Sequence, residues 1–277
     1  MLGQRVLTAV VLLALLLGAL FAPMAWPFAA LTLLFLAAAG WEWGRLNGLA
    51  SMPALGLGLL TAVLSLLLVQ AQDPALPSPV CQFGSLAWLV AGAYALRVGP
   101  AGWSRLPRSL RLLIGPALLA VAWLGLVRVH AVGVNFLLSV LCLVWAADIA
   151  AYAGGRTFGR HKLAPTISPG KTWEGVFSGA LGVLVLGAGW WIFDRLLALD
   201  SPGLPTRLVD AFGVPGAIAA LLLLTAASVV GDLVESLVKR AAGAKDSSRL
   251  LPGHGGVLDR IDALLPVVPL VAALGLA

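Results

Sequence analysis

Polar side chains recur along one face of a segment that is otherwise apolar. They come at i, i+3, i+4 and i+7 directly after the apolar stretch Ala227–Gly231. On an α-helix, residues at this spacing share a face. An acid inside a membrane helix costs about 2.5–3.5 kcal/mol on insertion scales, so it usually faces an interior and has a partner. The spacing therefore predicts a helix that lines a polar cavity with Asp232, Glu235, Ser236 and Lys239.

A second polar element follows this helix. The segment from Lys245 to Gly256 is predicted to be a loop by its glycines and proline, and Asp259 and Asp262 come after it at i, i+3. Glycines let a backbone approach a ligand closely and point its N–H groups at it. Mg²⁺ typically takes one or two carboxylates together with substrate phosphate oxygens, and basic side chains suit the phosphates. The residues alone therefore predict a metal-dependent phosphate site.

A third polar element lies upstream, and the two charged segments 148–174 and 232–262 together hold 16 of the 30 charged residues. Asp148 stands in an apolar context, so it either lines the same cavity or forms an ion pair between helices. Gly170-Lys171-Thr172 resembles the end of a phosphate-binding P-loop, but Pro165 stands where that motif needs glycine. The stretch from Ser168 either contacts phosphate or starts a helix with Lys171 in its first turn.

The composition decides the class of protein. Of 277 residues, 60% are hydrophobic and 11% are charged, with a mean hydropathy of +0.99, whereas soluble domains have roughly 45–50% apolar and about 25% charged residues. This excludes a soluble globular protein, a disordered chain and a disulfide scaffold. Uninterrupted apolar runs such as Val10–Leu17 also exclude a membrane barrel, whose strands alternate. We predict an all-α, polytopic integral membrane helix bundle.

A spanning helix needs about 20 mostly apolar residues, and the apolar stretches predict about nine spans. We divide the chain into N-terminal transmembrane helices, 1–140, and C-terminal transmembrane helices, 141–277, which carry the polar segments, taken here as 145–175 and 228–266. The first span resembles a signal peptide that would be cleaved near Ala22–Ala25, but a retained helix agrees better with the charges described next. The spans are expected near 6–21, 25–44, 52–70, 84–99, 110–129, 132–152, 173–193, 213–234 and 260–277.

The basic residues indicate the orientation. With nine spans, 15 of the 18 lysines and arginines fall on one side, and only Arg128, Arg195 and Arg207 fall on the other. The positive-inside rule then places the N-terminus in the cytoplasm, the C-terminus outside, and both polar segments at the cytoplasmic face of the inner cell membrane. The net charge of +6 is thus a topology signal, and no nucleic-acid partner is expected.

The polar segments also resemble a known family. The second contains Ser236-Leu-Val-Lys239-Arg240, then Lys245-Asp246, then Pro252-Gly-His254-Gly255-Gly256-Val-Leu-Asp259-Arg260-Ile-Asp262. This pattern resembles the signature of the phosphatidate cytidylyltransferases, also called CDP-diacylglycerol synthases. Asp148, Gly155-Arg156, Phe158-Gly159, Ser168-Pro169, Lys171-Thr172 and Glu174-Gly175 resemble that family's upstream block. The likeness covers the two polar segments, while the first 140 residues match only as apolar helices.

The resemblance implies a reaction in which CTP and phosphatidic acid give CDP-diacylglycerol and pyrophosphate with Mg²⁺, and a second cation is possible. Asp232 and Asp259 are expected to hold the cation, so that Asn at either position should abolish or severely reduce synthesis while membrane insertion and yield stay near normal. The further candidate metal ligands are Glu235, Asp262, Asp148 and Asp246.

The basic residues and glycines of both segments are expected to bind phosphate. Lys239 is expected to neutralise phosphate charge during catalysis, and His254 to donate to a phosphate or to protonate the leaving group, with loop packing as its alternative role. The expected partners are CTP, phosphatidic acid and membrane lipids, and tryptophans and glycines in the spans would permit a homodimer. The candidate phosphate-binding residues are Lys171, Arg240, Lys245, Arg260, Ser168, Gly255 and Gly256.

Two other functions stay open at this point. A CTP-dependent polyprenol kinase, or a cytidylyltransferase for another lipid phosphate, would keep the acids and change the helices that contact lipid. A transporter would use intramembrane acids as an ion path, but transporters often show inverted repeats, and we find no repeat that relates the halves of this chain.

Overall fold

The computed structural model describes residues 2–73 and 76–276, and nearly all of its regular structure is α-helical. Six of the described helices, from Ser51–Gln70 to Leu204–Ala241, are long and apolar enough to cross a membrane. Each of the first eight predicted spans falls on one long helix, which confirms the helix-bundle class, whereas the exact number of spans and a cytoplasmic N-terminus stay predictions. The long helices are α1 (Leu2–Leu20), α2 (Trp26–Leu46), α3 (Ser51–Gln70), α4 (Pro79–Arg105), α5 (Arg108–Val132), α6 (Val134–Phe158), α7 (Trp173–Leu196) and α8 (Leu204–Ala241).

The ninth predicted span, 260–277, differs from the observed structure. A short helix α9 (Leu258–Ile261) is followed by α10 (Leu264–Ala273), which has ten residues. Ten residues of helix extend about 15 Å, half of the roughly 30 Å hydrocarbon core. The apolar run suggested a longer helix because α10 is apolar on every side. It is apolar throughout because its residues from Leu265 to Ala272 are buried inside the bundle.

α10 lies against α4, α5 and α8 in the middle of the molecule. Gly125 on α5 permits this position, because a Cβ atom there would come within 2.8 Å of the Pro269 backbone. On α8, Gly231 does the same for the carbonyl oxygen of Asp262, which would be 2.4 Å from such a Cβ. The link between α9 and α10 is thereby held against the stretch of α8 that carries the polar face.

α8 is two helical segments joined at a kink. Gly213 has φ = 66°, in the left-handed region, and Pro215 follows two residues later. The predicted span that began at 213 therefore starts at the kink. The second segment continues to Ala241, so the helix carries Lys239 beyond the expected end of the span at 234.

Two short strands form a hairpin between α6 and α7. β1 (Lys162–Ala164) pairs antiparallel with β2 (Ser168–Thr172), and Lys162 lies opposite Thr172. Thr172 also caps α7, because its hydroxyl accepts a hydrogen bond from the Gly175 N–H at 3.2 Å. The prediction that Ser168 could start a helix with Lys171 in the first turn is wrong, since these residues are extended and the helix begins at Trp173.

The polar loops gather at one end of the bundle. The Arg108 guanidinium donates to the Gly48 carbonyl, and the Thr8 hydroxyl donates to the Pro252 carbonyl at 3.1 Å. At the other end, Arg128 donates to the Leu76 carbonyl and Arg207 to the Leu276 carbonyl, both at 2.9 Å. Arg128 and Arg207 therefore lie at the end of the bundle opposite the polar loops. Both belong to the three arginines that were predicted on the opposite side of the membrane from the other 15 basic residues.

Candidate active site

A cleft of about 390 Å³ opens between α6, α7 and α8 beside the hairpin. Ligand pockets of this kind typically have volumes of about 300–1,000 Å³. Both polar segments contribute to it: Asp148 and Arg156 come from α6, Lys171 from β2 and Asp232 from α8, above an apolar floor. The cleft is therefore where residues 84 positions apart in the sequence meet.

Small residues let the walls of the cleft approach each other. A Cβ atom on Gly175 would lie 2.9 Å from the Ala151 carbonyl oxygen, and one on Gly179 would lie 2.9 Å from the Ala147 carbonyl oxygen. Larger side chains here would push α7 away from α6. The Gly175 that the sequence placed in the upstream block thus serves helix packing as well as the lining of the cleft.

The hairpin is fixed over the cleft by charged groups at its base. The Glu174 carboxylate accepts hydrogen bonds from the backbone N–H groups of Arg160 and His161, and it contacts the His161 ring Nδ1 at 2.6 Å. The Arg240 guanidinium donates to the Ile167 carbonyl in the hairpin turn at 3.3 Å. These bonds hold the strand that carries Lys171 in place.

The Lys171 ammonium forms an ion pair with Asp232 across the cleft. The two side chains are 27% and 28% exposed, so both reach solvent through the cleft opening. The Ser236 hydroxyl donates to the other carboxylate oxygen of Asp232 at 3.3 Å. The expected contact between neighbours of the α8 polar face is thus present, and a basic residue from the other polar segment joins it.

The rest of that polar face is in a separate, drier environment. Lys239 contacts Glu235 at 2.5 Å and Asp259 at 2.6 Å, and the side chains of all three are at most 11% exposed. Two carboxylates therefore share one ammonium group away from the residues that line the cleft. Lys239 was expected to contact a substrate phosphate, but in this arrangement its charge is neutralised by protein carboxylates.

Asp259 is held by the loop as well as by Lys239. Its Oδ2 accepts hydrogen bonds from the Ser247 N–H at 2.9 Å, the Ser247 hydroxyl at 2.9 Å and the Gly256 N–H at 2.8 Å. Burial alone would raise the pKa of Asp259, but the hydrogen bonds from Lys239, Gly256 and Ser247 outweigh it and lower this pKa to about 2. Asp259 is therefore an ionised carboxylate whose two oxygens are already in use.

The remaining candidate residues of the second polar segment differ in how exposed they are. Asp262 lies beside Gly231, and burial raises the pKa of its carboxyl, as does the negative charge of Asp232 nearby. His254 lies in the turn that precedes Gly255, and its Nδ1 has no hydrogen-bond partner among the described residues, so a substrate contact and loop packing both stay open. Exposed on the loop and on α9 are Lys245, Asp246 and Arg260.

Glu42 on α2 belongs to this region, and our reading of the sequence missed it. It is fully buried, and all its hydrogen bonds in the described structure come from the loop that carries Asp259. A signal for it exists in the sequence, because it is an acid between Trp41 and Trp43 near the end of an apolar span. The high cost of an acid in an apolar helix, which pointed to Asp148 and Asp232, applies to Glu42 as well.

The chemistry of the donor set suits a divalent cation that shares its ligands with a substrate. Within residues 2–73 and 76–276, no three Asp, Glu, His or Cys side chains lie close enough together to enclose a metal ion. Mg²⁺ rarely has such a cage, since it binds one or two carboxylates, substrate phosphates and water. The cleft offers Asp148 and Asp232, with Asp262 close to Asp232.

The sequence model of the Cytidylyltransferase family matches residues 3–276. The chain belongs to this family. A relative from Pseudomonas aeruginosa named phosphatidate cytidylyltransferase is 38% identical over 277 residues, which cover 99% of this chain and 97% of that protein. The likeness of the polar segments to this family, predicted from the sequence, is confirmed, and it extends through the N-terminal helices that the sequence alone left unassigned.

Two further relatives bear the same name. A protein from Brucella suis is 37% identical over 240 residues, which cover 85% of this cytidylyltransferase and 72% of the relative. A protein from Haemophilus influenzae is 49% identical over 137 residues, which cover 50% of this chain and 44% of the relative. With its apolar helices, membership of this family makes the chain an integral membrane enzyme that transfers a nucleotidyl group.

Proposed function

We propose that this cytidylyltransferase condenses CTP with phosphatidic acid into CDP-diacylglycerol and pyrophosphate, as a step of phospholipid synthesis. One observation carries the proposal. The two polar segments that match the family meet at one cleft, which combines Asp148, Asp232 and Lys171 with a position between membrane-spanning helices. The shared name of the relatives supports the same substrates.

The reaction exchanges one phosphoanhydride bond for another. A phosphate oxygen of the lipid forms a bond to the α-phosphorus of CTP, the bond from that phosphorus to the bridging oxygen breaks, and pyrophosphate leaves with the electron pair. Phosphoryl transfers of this kind need mainly positioning and neutralisation of charge. Lys171 and Arg156 at the cleft supply positive charge for the phosphates, and the closely packed walls limit how the substrates enter.

We propose that Asp232 holds Mg²⁺ together with Asp148 or Asp262. When bound, Mg²⁺ supplies positive charge that stabilises the developing charge on phosphate oxygens. For Asp232, binding requires only the release of Lys171, which is then free to contact a phosphate. Asp259 would have to exchange the Lys239 ammonium for the metal, so it is the more costly second ligand. Glu235 is a still less favourable metal ligand, because its side chain is 3% exposed and already forms an ion pair with Lys239.

The position of the cleft fits an amphipathic substrate. The polar part of its lining contains Lys171 and Arg156, and the apolar part contains Val176 and Val229. Exposed apolar side chains such as Ile149 and Phe177 lie on the adjoining helices. A lipid phosphate can therefore enter the polar part while its acyl chains remain in the bilayer. CTP, which is water-soluble, arrives from the end at which the polar loops gather.

The assay uses purified protein in detergent with CTP, Mg²⁺ and phosphatidic acid. We expect CDP-diacylglycerol and pyrophosphate in equal amounts. Diacylglycerol, which lacks the phosphate, serves as the control substrate and should give neither product. Release of CDP with a polyprenol would instead show a CTP-dependent kinase, and pyrophosphate release only with another lipid phosphate would show a different cytidylyltransferase.

We propose that the cleft faces the cytoplasm from the inner cell membrane, with Mg²⁺ and CTP supplied from that side. The excess of basic residues at the end that carries the loops motivates this orientation. A reporter inserted between residues 100 and 110 should read cytoplasmic, and one fused after residue 277 should read extracytoplasmic. The reverse pattern would place the cleft away from cytoplasmic CTP. A homodimer stays a prediction.

A further inference from the structure

The Glu42 carboxylate contacts four hydrogen-bond donors of one loop more than 200 residues away in the sequence. The donors to Oε1 are the Ser248 hydroxyl at 2.6 Å and the Val257 N–H at 2.9 Å. The donor to Oε2 is the Leu258 N–H at 2.7 Å, and the Ser247 hydroxyl, at 3.2 Å, shares its single proton between Oε2 and the nearer Asp259 Oδ2. Glu42 itself is 0% exposed. Across the described parts of the chain, no ion pair to it is found, so these donors are what compensates its burial.

The bonds reach both ends of the loop and fix its shape. Ser247 and Ser248 lie at its start, whereas Val257 and Leu258 lie at its end, where helix α9 begins. A buried carboxylate that accepts several N–H and O–H bonds is satisfied only while all the donors stay in place. Glu42 on α2 therefore draws the two ends of the loop toward a single point on a membrane helix.

The same loop also holds Asp259, through Ser247 and the Gly256 N–H. Ser247 connects the two acids directly, because its hydroxyl lies 3.2 Å from Glu42 Oε2 and 2.9 Å from Asp259 Oδ2. Gly256 lies between them, since a Cβ atom there would come within 2.3 Å of Glu42 Oε1 and 2.1 Å of the Ser247 hydroxyl. Its N–H donates to Asp259 at 2.8 Å. Glu42 and Asp259 thus hold one compact loop from opposite sides.

We infer that Glu42 is a positioning residue for the reaction: it fixes the 247–258 loop from α2 and so sets where Asp259 and the following Asp262 lie. Glu42 lies outside both polar segments and does not line the cleft. Its link to catalysis rests on the proposed function, whereas its link to the geometry of the loop does not. Groups that orient metal or phosphate ligands in this indirect way commonly change affinity or activity by about 10–100-fold when they are replaced.

The test compares Glu42→Gln with Thr32→Val. The Gln amide keeps the size of Glu42 but can accept at only one of its two terminal atoms, so its NH₂ group meets an N–H or O–H donor of the loop. Thr32→Val is the matched control: it also keeps the size of the side chain and removes a hydrogen bond of α2, but that bond comes from the Trp123 indole N–H at 3.1 Å, almost three helical turns before Glu42.

The first measurement is hydrogen–deuterium exchange without substrate or metal. We expect exchange of the segment 247–258 to become at least about 10-fold faster in Glu42→Gln than in wild type, while Thr32→Val leaves this segment unchanged. Loss of protection in both variants, or in neither, would overturn the inference. Because no turnover is involved, this result is independent of the proposed reaction.

The second measurement is the Mg²⁺ dependence of CDP-diacylglycerol synthesis. Glu42→Gln should raise the Mg²⁺ concentration at half-maximal rate by about 10-fold, and Thr32→Val should leave it unchanged. An unchanged Mg²⁺ dependence together with faster exchange would remove Glu42 from catalysis. If Glu42→Gln does not fold, Ser248→Ala replaces it: faster exchange of 257–258 than in Thr32→Val supports the inference, and wild-type exchange overturns it.

Discussion

Replacing Asp232 with asparagine is expected to lower CDP-diacylglycerol synthesis by about 10²–10³-fold at saturating CTP and lipid. The substitution keeps the shape of the side chain and its contact with Ser236, but it removes the one negative charge that α8 presents to the cleft. A cation held there loses a ligand charge, and Lys171 loses its partner.

The same variant should fold normally. The ion pair of Asp232 with Lys171 is partly exposed on both sides, and such pairs contribute about 0–1 kcal/mol. The measurement is specific activity per folded molecule across a Mg²⁺ titration, alongside thermal unfolding in detergent. Asp210→Asn is the control, because Asp210 is an exposed acid on the other segment of α8. Near-wild-type activity of Asp232→Asn at ordinary Mg²⁺ concentrations would remove Asp232 from the metal site.

Replacing Asp259 with asparagine is expected to damage stability as well as activity. An Asn side chain has one acceptor oxygen, so its NH₂ group must face either the Lys239 ammonium or the N–H groups of Ser247 and Gly256. Lys239 keeps Glu235 as an ion-pair partner, so the cost comes from the donors that lose their acceptor, at about 1–3 kcal/mol for each buried group left unsatisfied. The melting temperature should fall by at least about 5 °C.

This expectation revises the one that the sequence supported, in which yield stayed near normal at both positions. Asp246→Asn, in the same loop but exposed, should leave the melting temperature unchanged. If Asp259→Asn unfolds at the wild-type temperature while synthesis is lost, Asp259 is a ligand of the cation and the contribution of its loop contacts to stability is small. If it keeps both stability and synthesis, the hydrogen-bond arrangement around Asp259 has no measurable consequence.

The sequence predicted the helices well where apolar length alone determines them. The runs that became α3 to α7 are bounded by turn-forming residues, and in a bilayer a helix satisfies its own backbone groups. The prediction of a ninth membrane span at 260–277 was wrong. A helix that is apolar on every side has the same kind of sequence whether lipid or protein surrounds it. The β hairpin was missed because three- and five-residue strands leave little periodicity to read, and Pro169 suggests the start of a helix as readily as a strand.

The polar residues were found in the sequence, but not their grouping. The i, i+3, i+4, i+7 spacing placed Asp232 and Lys239 on one face, and the structure agrees on the face. The spacing could not show that Asp232 lines the cleft while Lys239 forms an ion pair with Asp259. This difference between the two residues depends on how α9 packs against α8. Glu42 was missed because spacing patterns do not connect residues more than 200 positions apart.

The burial of α10 has a consequence for the order in which the protein assembles. Membrane helices enter the bilayer roughly in the order of synthesis, and their packing follows insertion. α4, α5 and α8 are therefore in place before α10 exists, and the space between them must be filled by lipid or closed by a different packing. Asp259 and Asp262 come immediately before α10 in the sequence. Under the proposed function, the enzyme becomes competent only when α10 docks, so we expect a nascent chain that has inserted α1 to α8 alone to be inactive.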